Sequence, residues 1–281
     1  MVSSMATAAN ARWSRLLAIS LFAVAAFAEQ RHETWDRVVK KYVNAVGEVN
    51  YAALKTDRAD LDTYVKWLGE VSPEKQSAQF PSKAEELAYY INAYNAFTTA
   101  GVVKGYPTKS VRDLGMVFGF FRREDHLMGG RKISLTDLEN KIIRSEKYKE
   151  SRIHFAIVCA SLSCPKLAAE AFTSANLERL LDAGARQFVN ERRNVHVKDG
   201  SVTMSEIFKW YEGDFKWEAA SLLDFAKMYA APALKASLEK LPAKPRLQYF
   251  DYDWAINDPG SRAKAKSEFE REIGKLRPTG R

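Results

Sequence analysis

Residues 152–167 read RIHFAIVCASLSCPKL, and this stretch contains both cysteines of the chain, Cys159 and Cys164, together with His154. The apolar run 153–158 predicts a buried strand, and the small residues and the proline that follow it predict a tight turn. A strand that carries reactive side chains into a turn is typical of a functional site. We therefore expect the fold to be organised around this stretch.

Strand periodicity would assign the side chains of this run to two faces. Alternate residues of a strand point to opposite sides, so Arg152 and His154 would share one face, while Ile153 and Phe155 would share the other. The apolar face is predicted to pack on the core, and the polar face to line a cleft.

A long helix is predicted before this stretch, over KAEELAYYINAYNAFTTAGVVKGYP. Ser82 is suited to cap it, and Glu85 three residues later completes a capping box. Asn92 and Asn95 are neighbours on one side of this helix. Asparagine is unfavourable inside a helix, so the pair is either part of a site or a solvated face, and both interpretations stay open.

The remaining elements are short. The glycine-containing pairs at 129–130 and 199–200 each predict a hairpin turn. Ser134 is expected to cap a helix that places Glu139 near the core. The aromatic block 207–211 fits either a helix packed on the core or a groove for sugars or peptides. Together these patterns predict an α+β fold, mostly helical, with helices around a small mixed or antiparallel sheet and short hairpins.

The N-terminus predicts export. Residues 1–28 combine a basic start, a short apolar run and an Ala-Phe-Ala cleavage pattern, as a secretory signal peptide does. The apolar run is short for a membrane span, so an uncleaved anchor is the alternative. We expect a periplasmic or secreted protein with no membrane span after cleavage.

Composition limits the partners. The chain has 281 residues and a net charge of +8, and loss of residues 1–28 would remove two arginines and leave +6. No dense basic run occurs, so this charge is interpreted as solubility charge rather than as a nucleic-acid surface. No P-loop, dinucleotide fingerprint or paired-cysteine zinc spacing is present, so neither a cofactor nor a metal is predicted. The oligomeric state is left open.

Four separated blocks, in the same order, resemble the family catalogued as domain of unknown function 547: YYINAYNAF, GYPTKSVRDLG, GGRKISLTDLE and RIHFAIVCASLSCP. The core of the resemblance covers about residues 80–192, and SEIFKWYEGDF and YDWAIN are similar to its extensions. The family pattern carries over onto Asn92, Tyr94, Asn95, Gly130, Ser134, Glu139, Arg152, His154, Cys159, Ser161, Cys164 and Pro165.

One position departs from the family pattern. A histidine follows the helix glutamate in the family, and Asn140 stands there in this chain. If that histidine were catalytic, His154 or His126 would have to replace it, although a lone loop histidine such as His126 is more often a surface residue.

The resulting layout has five parts. They are a signal peptide (1–28), an N-terminal helical segment packing on the core (29–79), the family core (80–192), a hairpin, aromatic helix and C-terminal helices of the same globule (193–258), and a charged tail (259–281).

The residues are compatible with a thiol-dependent hydrolase or acyl transferase of the peptidase or amidase kind. Cys164 or Cys159 would be the nucleophile, His154 the base, and Glu139 or an asparagine the group that orients it. His154 has the wrong strand parity to reach Cys159, which favours Cys164. Asn92 or Asn95, or a backbone N–H at the turn, could stabilise an oxyanion.

A structural role of the cysteines is the competing hypothesis. In an oxidising compartment Cys159 and Cys164 could form a disulfide that braces the turn. The protein would then be a non-enzymatic envelope protein that binds a peptide-like or acidic ligand or a polymer. The site would then consist of Asn92, Glu139, Arg152 and His154, with Arg152 as the clamp for a carboxylate. Asn95 and Ser161 are also predicted to bind the substrate. A sulfur near His154 would favour the enzyme, and a sulfur–sulfur bond would favour the brace.

Overall fold

The computed structural model describes residues 32–115 and 119–275 of the chain. It is 52% helical with 11% strand and contains two small sheets, so the predicted α+β, mostly helical class is confirmed. No described helix is long and apolar enough to cross a membrane. The predicted signal peptide, 1–28, lies outside the described residues.

The α-helices are α1 (Glu33–Tyr42), α2 (Tyr51–Thr56), α3 (Ala59–Glu70), α4 (Lys83–Gly105), α5 (Gly119–Arg122), α6 (Leu135–Asp137), α7 (Leu177–Val189), α8 (Glu206–Trp210), α9 (Glu212–Phe215), α10 (Leu222–Tyr229), α11 (Pro232–Glu239) and α12 (Ser261–Lys275). Short 3₁₀ helices cover Ser77–Gln79, Val111–Asp113 and Ser151–Phe155, and a π-helix covers Leu138–Ile143. The strands are β1 (His126–Met128), β2 (Arg131–Ile133), β3 (Val195–Lys198), β4 (Ser201–Ser205) and β5 (Arg246–Phe250).

Helix α4 is the central helix of the larger core. Ser82 caps it through a capping box with Glu85, as predicted. Most of its side chains are buried, including Asn92 and Asn95, because the helix is covered by α2, α3 and the π-helix segment. The interpretation of the asparagine pair as a solvated face was therefore wrong.

The two predicted hairpins are confirmed, and a crossover strand completes the sheet. β1 and β2 pair antiparallel around Gly129 and Gly130, and β3 and β4 pair antiparallel around the second turn. β5 then adds parallel to β4, so the three-stranded sheet is mixed. A smaller core, built from α7 to α11 and this sheet, packs around Phe155.

The predicted strand at 153–158 was wrong. Its first half is the 3₁₀ helix Ser151–Phe155, and no strand pairs with its second half. The side-chain amide of Asn95 supplies the missing partner, since it donates to the Ala156 carbonyl at 2.9 Å and accepts from the Val158 N–H at 2.8 Å. One buried asparagine thus satisfies backbone groups that a neighbouring strand would otherwise pair with.

The turn that follows is held by a segment close to the end of the chain. Residues 253–257, here called the closing segment, run antiparallel to residues 160–163. Leu162 N–H donates to the Ala255 carbonyl at 2.8 Å, and Asn257 N–H donates to the Ala160 carbonyl at 3.0 Å. This turn, residues 159–164 and here called the cysteine turn, therefore depends on residues about ninety positions away along the chain.

Candidate functional site

A cavity of about 250 Å³ opens at the end of the cysteine turn. It gathers all four predicted catalytic residues, although they come from separate elements. The lining residues are Tyr94, Phe121, Arg122, Thr136, Glu139, Asn140, His154, Ile157, Cys159, Cys164, Pro165, Ile207, Trp210, Tyr211, Tyr252 and Trp254.

The two cysteines are both free thiols, so the predicted disulfide was wrong. The chain reverses at Ala160, which adopts a positive φ of 68°. This turn brings the Cys164 sulfur to the backbone of Cys159, whose N–H donates to it at 3.0 Å. The Cys164 sulfur thus serves as a hydrogen-bond acceptor for the turn and is not bonded to the Cys159 sulfur.

Cys159 is a partly exposed residue, and its sulfur lies within a group of hydroxyls. It is 3.1 Å from Ser161 Oγ and 3.2 Å from Tyr252 Oη. Ser161 in turn donates to the Tyr252 oxygen at 3.0 Å. Hydroxyls can donate to a thiolate, so this group favours the ionised form of the sulfur.

The two thiols consequently differ in acidity. Burial by itself would raise the pKa of Cys159, but hydrogen bonds involving Cys164, Ser161 and Tyr252 lower it to about 7. Burial, together with the neighbouring Cys159, raises the pKa of Cys164 well above its usual value. Cys159 is therefore the more acidic of the two thiols, whereas strand parity favoured Cys164 as the nucleophile.

His154 contacts Asp214 and Tyr211. Its Nε2 is 2.7 Å from an Asp214 carboxylate oxygen, and its ring stacks on Tyr211 with the ring centres 3.8 Å apart. Among the described residues, the hydrogen bonds of the two sulfurs do not include this ring. Burial lowers the pKa of His154, so the imidazole is neutral at neutral pH.

Asp214 is the carboxylate that organises this side of the cavity. Arg144 donates to both of its oxygens, at 2.6 and 3.0 Å, and His154 shares one of them. Burial raises the pKa of Asp214, but the hydrogen bonds with His154 and Arg144 outweigh it and lower the pKa to about 2. The carboxylate is consequently ionised throughout the neutral range.

Glu139 lies on the π-helix, a distortion that often marks functional positions. Tyr211 donates to one of its oxygens at 2.6 Å, and Tyr94 donates to the other at 3.2 Å. Tyr211 therefore joins the Glu139 carboxylate to the His154 ring, on which it stacks. Asn140, the departure from the family pattern, lines the cavity and accepts a hydrogen bond from Arg144.

The predicted ligand-binding residues do not line this cavity. Asn92 bonds the backbone of Phe172, and Asn95 bonds the backbone of the cysteine stretch. Arg152 donates to Glu150 and Glu178 of its own chain. Of the set, Ser161 is the residue that contacts the reactive region, through the Cys159 sulfur.

His126 lies elsewhere. Its ring stacks on Phe97 with the ring centres 4.7 Å apart, and it is not among the residues that line the cavity. Burial lowers its pKa to about 4.

Sequence reasoning missed three functional-site residues, Tyr252, Asp214 and Arg144. Tyr252 is 93 residues from the cysteine that it contacts, and Asp214 is 60 residues from His154. For Asp214 and Tyr252 the available signal was their position within SEIFKWYEGDF and YDWAIN, the two blocks similar to family extensions, whereas Arg144 lies in neither block.

Aromatic rings form the outer wall. The centres of the Trp210 and Tyr252 rings are 4.7 Å apart, and those of Tyr252 and Trp254 are 4.5 Å apart. Trp210 is 43% exposed, which is unusual for so large an apolar side chain. No group of three or more His, Cys, Asp or Glu side chains is placed to hold a metal ion in the described ranges 32–115 and 119–275.

Searches of the curated proteins and of the solved structures find no match to this chain. A scan against family models matches residues 78–189, which include the helix with Asn92 and Asn95, Glu139 and the whole cysteine turn. This segment matches the model of the family described as protein of unknown function, DUF547.

Proposed function

We propose that the protein is a thiol-dependent hydrolase or acyl transferase in which Cys159 is the nucleophile. The observation that carries the proposal is the setting of this residue: Cys159 is partly exposed and lines a cavity, and its sulfur is hydrogen-bonded to two hydroxyls. A pKa of about 7 makes a substantial fraction of this thiol nucleophilic at neutral pH.

The reaction would proceed through a thioester. The Cys159 thiolate attacks the acyl carbon of an amide or ester, a carbon–sulfur bond forms, and the bond to the leaving group breaks. The hydroxyls of Ser161 and Tyr252 offer the thiol proton a route to the leaving group. Water or a second acceptor then attacks the thioester and regenerates the thiol.

In this proposal His154 and Glu139 are positioning residues. His154 is hydrogen-bonded to Asp214, and Glu139 accepts from two tyrosines, so neither donates to or accepts from the sulfur. Both contact Tyr211, whose ring forms part of the cavity wall. They would hold the shape of the wall against which the acyl group lies.

Site-resolved alkylation tests the nucleophile. The native protein is treated with iodoacetamide between pH 5 and 10, and the modified cysteine is identified by peptide mass mapping. We expect Cys159 to react first, with half-maximal rate near pH 7, and Cys159→Ala to abolish the fast reaction. A fast reaction at Cys164, or a midpoint near the ordinary cysteine pKa of about 8.5, would contradict the proposal.

Turnover is tested with acyl-directed electrophilic probes, such as peptidyl vinyl sulfones, followed by hydrolysis of peptide amides. Cys159→Ala should lose both labelling and hydrolysis. Cys164→Ala is the matched control and should retain at least part of both, because its sulfur is an acceptor in the turn and has a raised pKa.

A second candidate function is ligand binding without catalysis. The exposed Trp210, beside Tyr252 and Trp254, favours it, because clustered aromatic rings bind sugars or peptide side chains. In that case Cys159→Ala would keep its affinity for a cell-envelope polymer or peptide, while Trp210→Ala would lose it.

We also propose that the protein is exported. The basic start, short apolar run and Ala-Phe-Ala pattern within residues 1–28 support this. Intact mass of the protein recovered from fractionated cells would test it, since retention of residues 1–28 in the cytoplasmic fraction would contradict export.

A further inference from the structure

A second cavity, of about 570 Å³, lies between the first turns of α12 and the residues that follow α7. It shares no lining residue with the cysteine cavity. The two are separated by the chain at Cys164 and Pro165, whose carbonyls accept hydrogen bonds from Arg262 at 3.3 and 3.1 Å.

Arg262 is an incompletely paired cation in the wall of this cavity. The residue is 7% exposed, and Nη2 makes both of the carbonyl contacts. Nε and Nη1 are buried and have no hydrogen-bond partner among the described residues. Buried donors without a partner are costly, particularly on a charged group, so an acceptor is expected here.

The acidic residues nearest Arg262 are already engaged. Glu48 accepts from the backbone N–H groups of Gly260 and Arg262, at 3.1 and 2.8 Å. Glu191 is shared by Lys166 and Arg193, at 3.1 and 2.9 Å. These acids therefore do not accept hydrogen bonds from Nε or Nη1 of Arg262.

The charges of the cavity wall leave a positive excess. Besides Arg262, the wall contains Lys266, which makes no salt bridge within residues 32–115 and 119–275, and Arg192, which pairs with Glu270. Burial, and then the nearby Arg193, lower the pKa of Arg262, as expected of a buried cation that lacks a full counter-charge.

We propose that this cavity binds an oxyanion, either free phosphate or an organic phosphate ester, which accepts from the free nitrogens of Arg262 and is attracted by Lys266. Both anions present the oxygen acceptors that a guanidinium recognises. The apolar side chains of Val46 and Phe269 also line the cavity, and they suit the hydrocarbon part of an organic anion.

Calorimetric titration with two probes, inorganic phosphate and hexyl phosphate, tests the site at constant ionic strength. We expect saturable binding of at least one probe to the full chain. Binding of both probes at similar affinity would assign a free oxyanion as the ligand, and tighter binding of hexyl phosphate would assign an organic ester.

The variants are Arg262→Gln, Arg262→Lys and Lys266→Gln, with Arg58→Gln as a control that removes a surface cation paired with Asp62. Loss of charge-assisted hydrogen bonds should weaken binding about tenfold or more in Arg262→Gln. A smaller loss is expected in Lys266→Gln and none in Arg58→Gln. If Arg262→Gln fails to fold by circular dichroism, Arg262→Lys and Lys266→Gln decide the outcome. Absence of saturable binding, or affinity unchanged in the folded cavity variants, would overturn the proposal.

Discussion

At the scale of single residues, Tyr252, which lies 93 positions further along the chain, is one of the groups that lower the pKa of Cys159, after Cys164 and Ser161. Tyr252 contacts the sulfur and also accepts from Ser161. A donor that stabilises the thiolate lowers the thiol pKa, and removing it should raise that pKa.

We therefore expect Tyr252→Phe to shift the alkylation midpoint of Cys159 upward by about one unit, toward the ordinary value near 8.5. The measurement is the pH dependence of the iodoacetamide rate at this cysteine. Tyr249→Phe is the control, because Tyr249 contacts Lys209 and is not part of the cavity wall. An unchanged midpoint in Tyr252→Phe would show that the phenol does not tune the sulfur.

The Asp214 carboxylate makes a pH-dependent contribution to stability. Its folded pKa of about 2 lies below the ordinary value of 3.8. A group whose pKa is lowered by folding stabilises the fold above its unfolded pKa, and that contribution is lost as the pH falls through the folded value. The stabilisation is thus present at pH 7 and disappears between about pH 4 and pH 2.

Asp214→Asn should lower the free energy of unfolding by about 2 kcal/mol at pH 7, because it weakens charged hydrogen bonds to His154 and Arg144. The difference from the unmodified protein should shrink as the pH falls below 4. Urea unfolding at several pH values measures both quantities. Asp182→Asn, which removes an exposed pair with Arg186, should have little effect at any pH. A difference that does not change with pH would contradict the ionic origin.

At the scale of elements, α7 packs closely against the 3₁₀ helix Ser151–Phe155, and this contact fixes the position of the backbone that carries His154. A Cβ atom on Gly184 would lie 2.9 Å from the Phe155 carbonyl oxygen, which is closer than such atoms approach. The glycine therefore allows the helix to lie directly against the backbone that carries His154.

Gly184→Ala should accordingly destabilise the protein by about 1–3 kcal/mol, as overpacking does, despite the higher helix propensity of alanine. Gly213→Ala is the matched control, because a Cβ there meets nothing within 4 Å and the residue is also helical. Thermal unfolding of both variants measures the contrast. Equal stability of the two variants would mean that the contact relaxes without cost.

The π-helix has a similar positioning role. Its Glu139 is buried between Tyr94 of α4 and Tyr211, which lies between α8 and α9. The carboxylate thus joins elements within residues 78–189, the segment matched by the family model, to Tyr211 outside it. The cavity wall therefore contains residues from both parts of the chain.

At the scale of the whole molecule, the site is assembled from more than the segment matched by the family model. Residues 78–189 supply both cysteines, His154 and Glu139, whereas Asp214 and Tyr252 come from later in the chain. The closing segment also pairs with the cysteine turn.

A chain ending at residue 245 lacks β5, Tyr252 and the closing segment, and we expect it to lose the acidic character of Cys159. Its alkylation midpoint should rise toward about 8.5 because the hydroxyl donor and the pairing of the turn are both gone. A chain ending at residue 258 keeps these parts and lacks α12, and it should retain a midpoint near that of the full chain. Alkylation profiles with parallel thermal unfolding compare the two, and a low midpoint in the shorter chain would contradict this account.

Features that depend on near neighbours could be predicted from the amino-acid sequence. The capped helix α4, both hairpins and the mostly helical class were predictable because caps, turn glycines and periodicity act over a few residues. The same local signals located the cysteine turn, and the cavity formed there contains Cys159, Cys164, His154 and Glu139.

The contacts that those residues make depend on long-range packing. The apolar run at 153–158 is not a strand, because the Asn95 side chain pairs with its backbone and no strand is adjacent. The cysteines are free, because the turn points one sulfur at a backbone amide of the other residue. Asp214 and Tyr252 reach the site from 60 and 93 residues away. Contacts at such distances follow from the packing of whole elements, which no local pattern encodes.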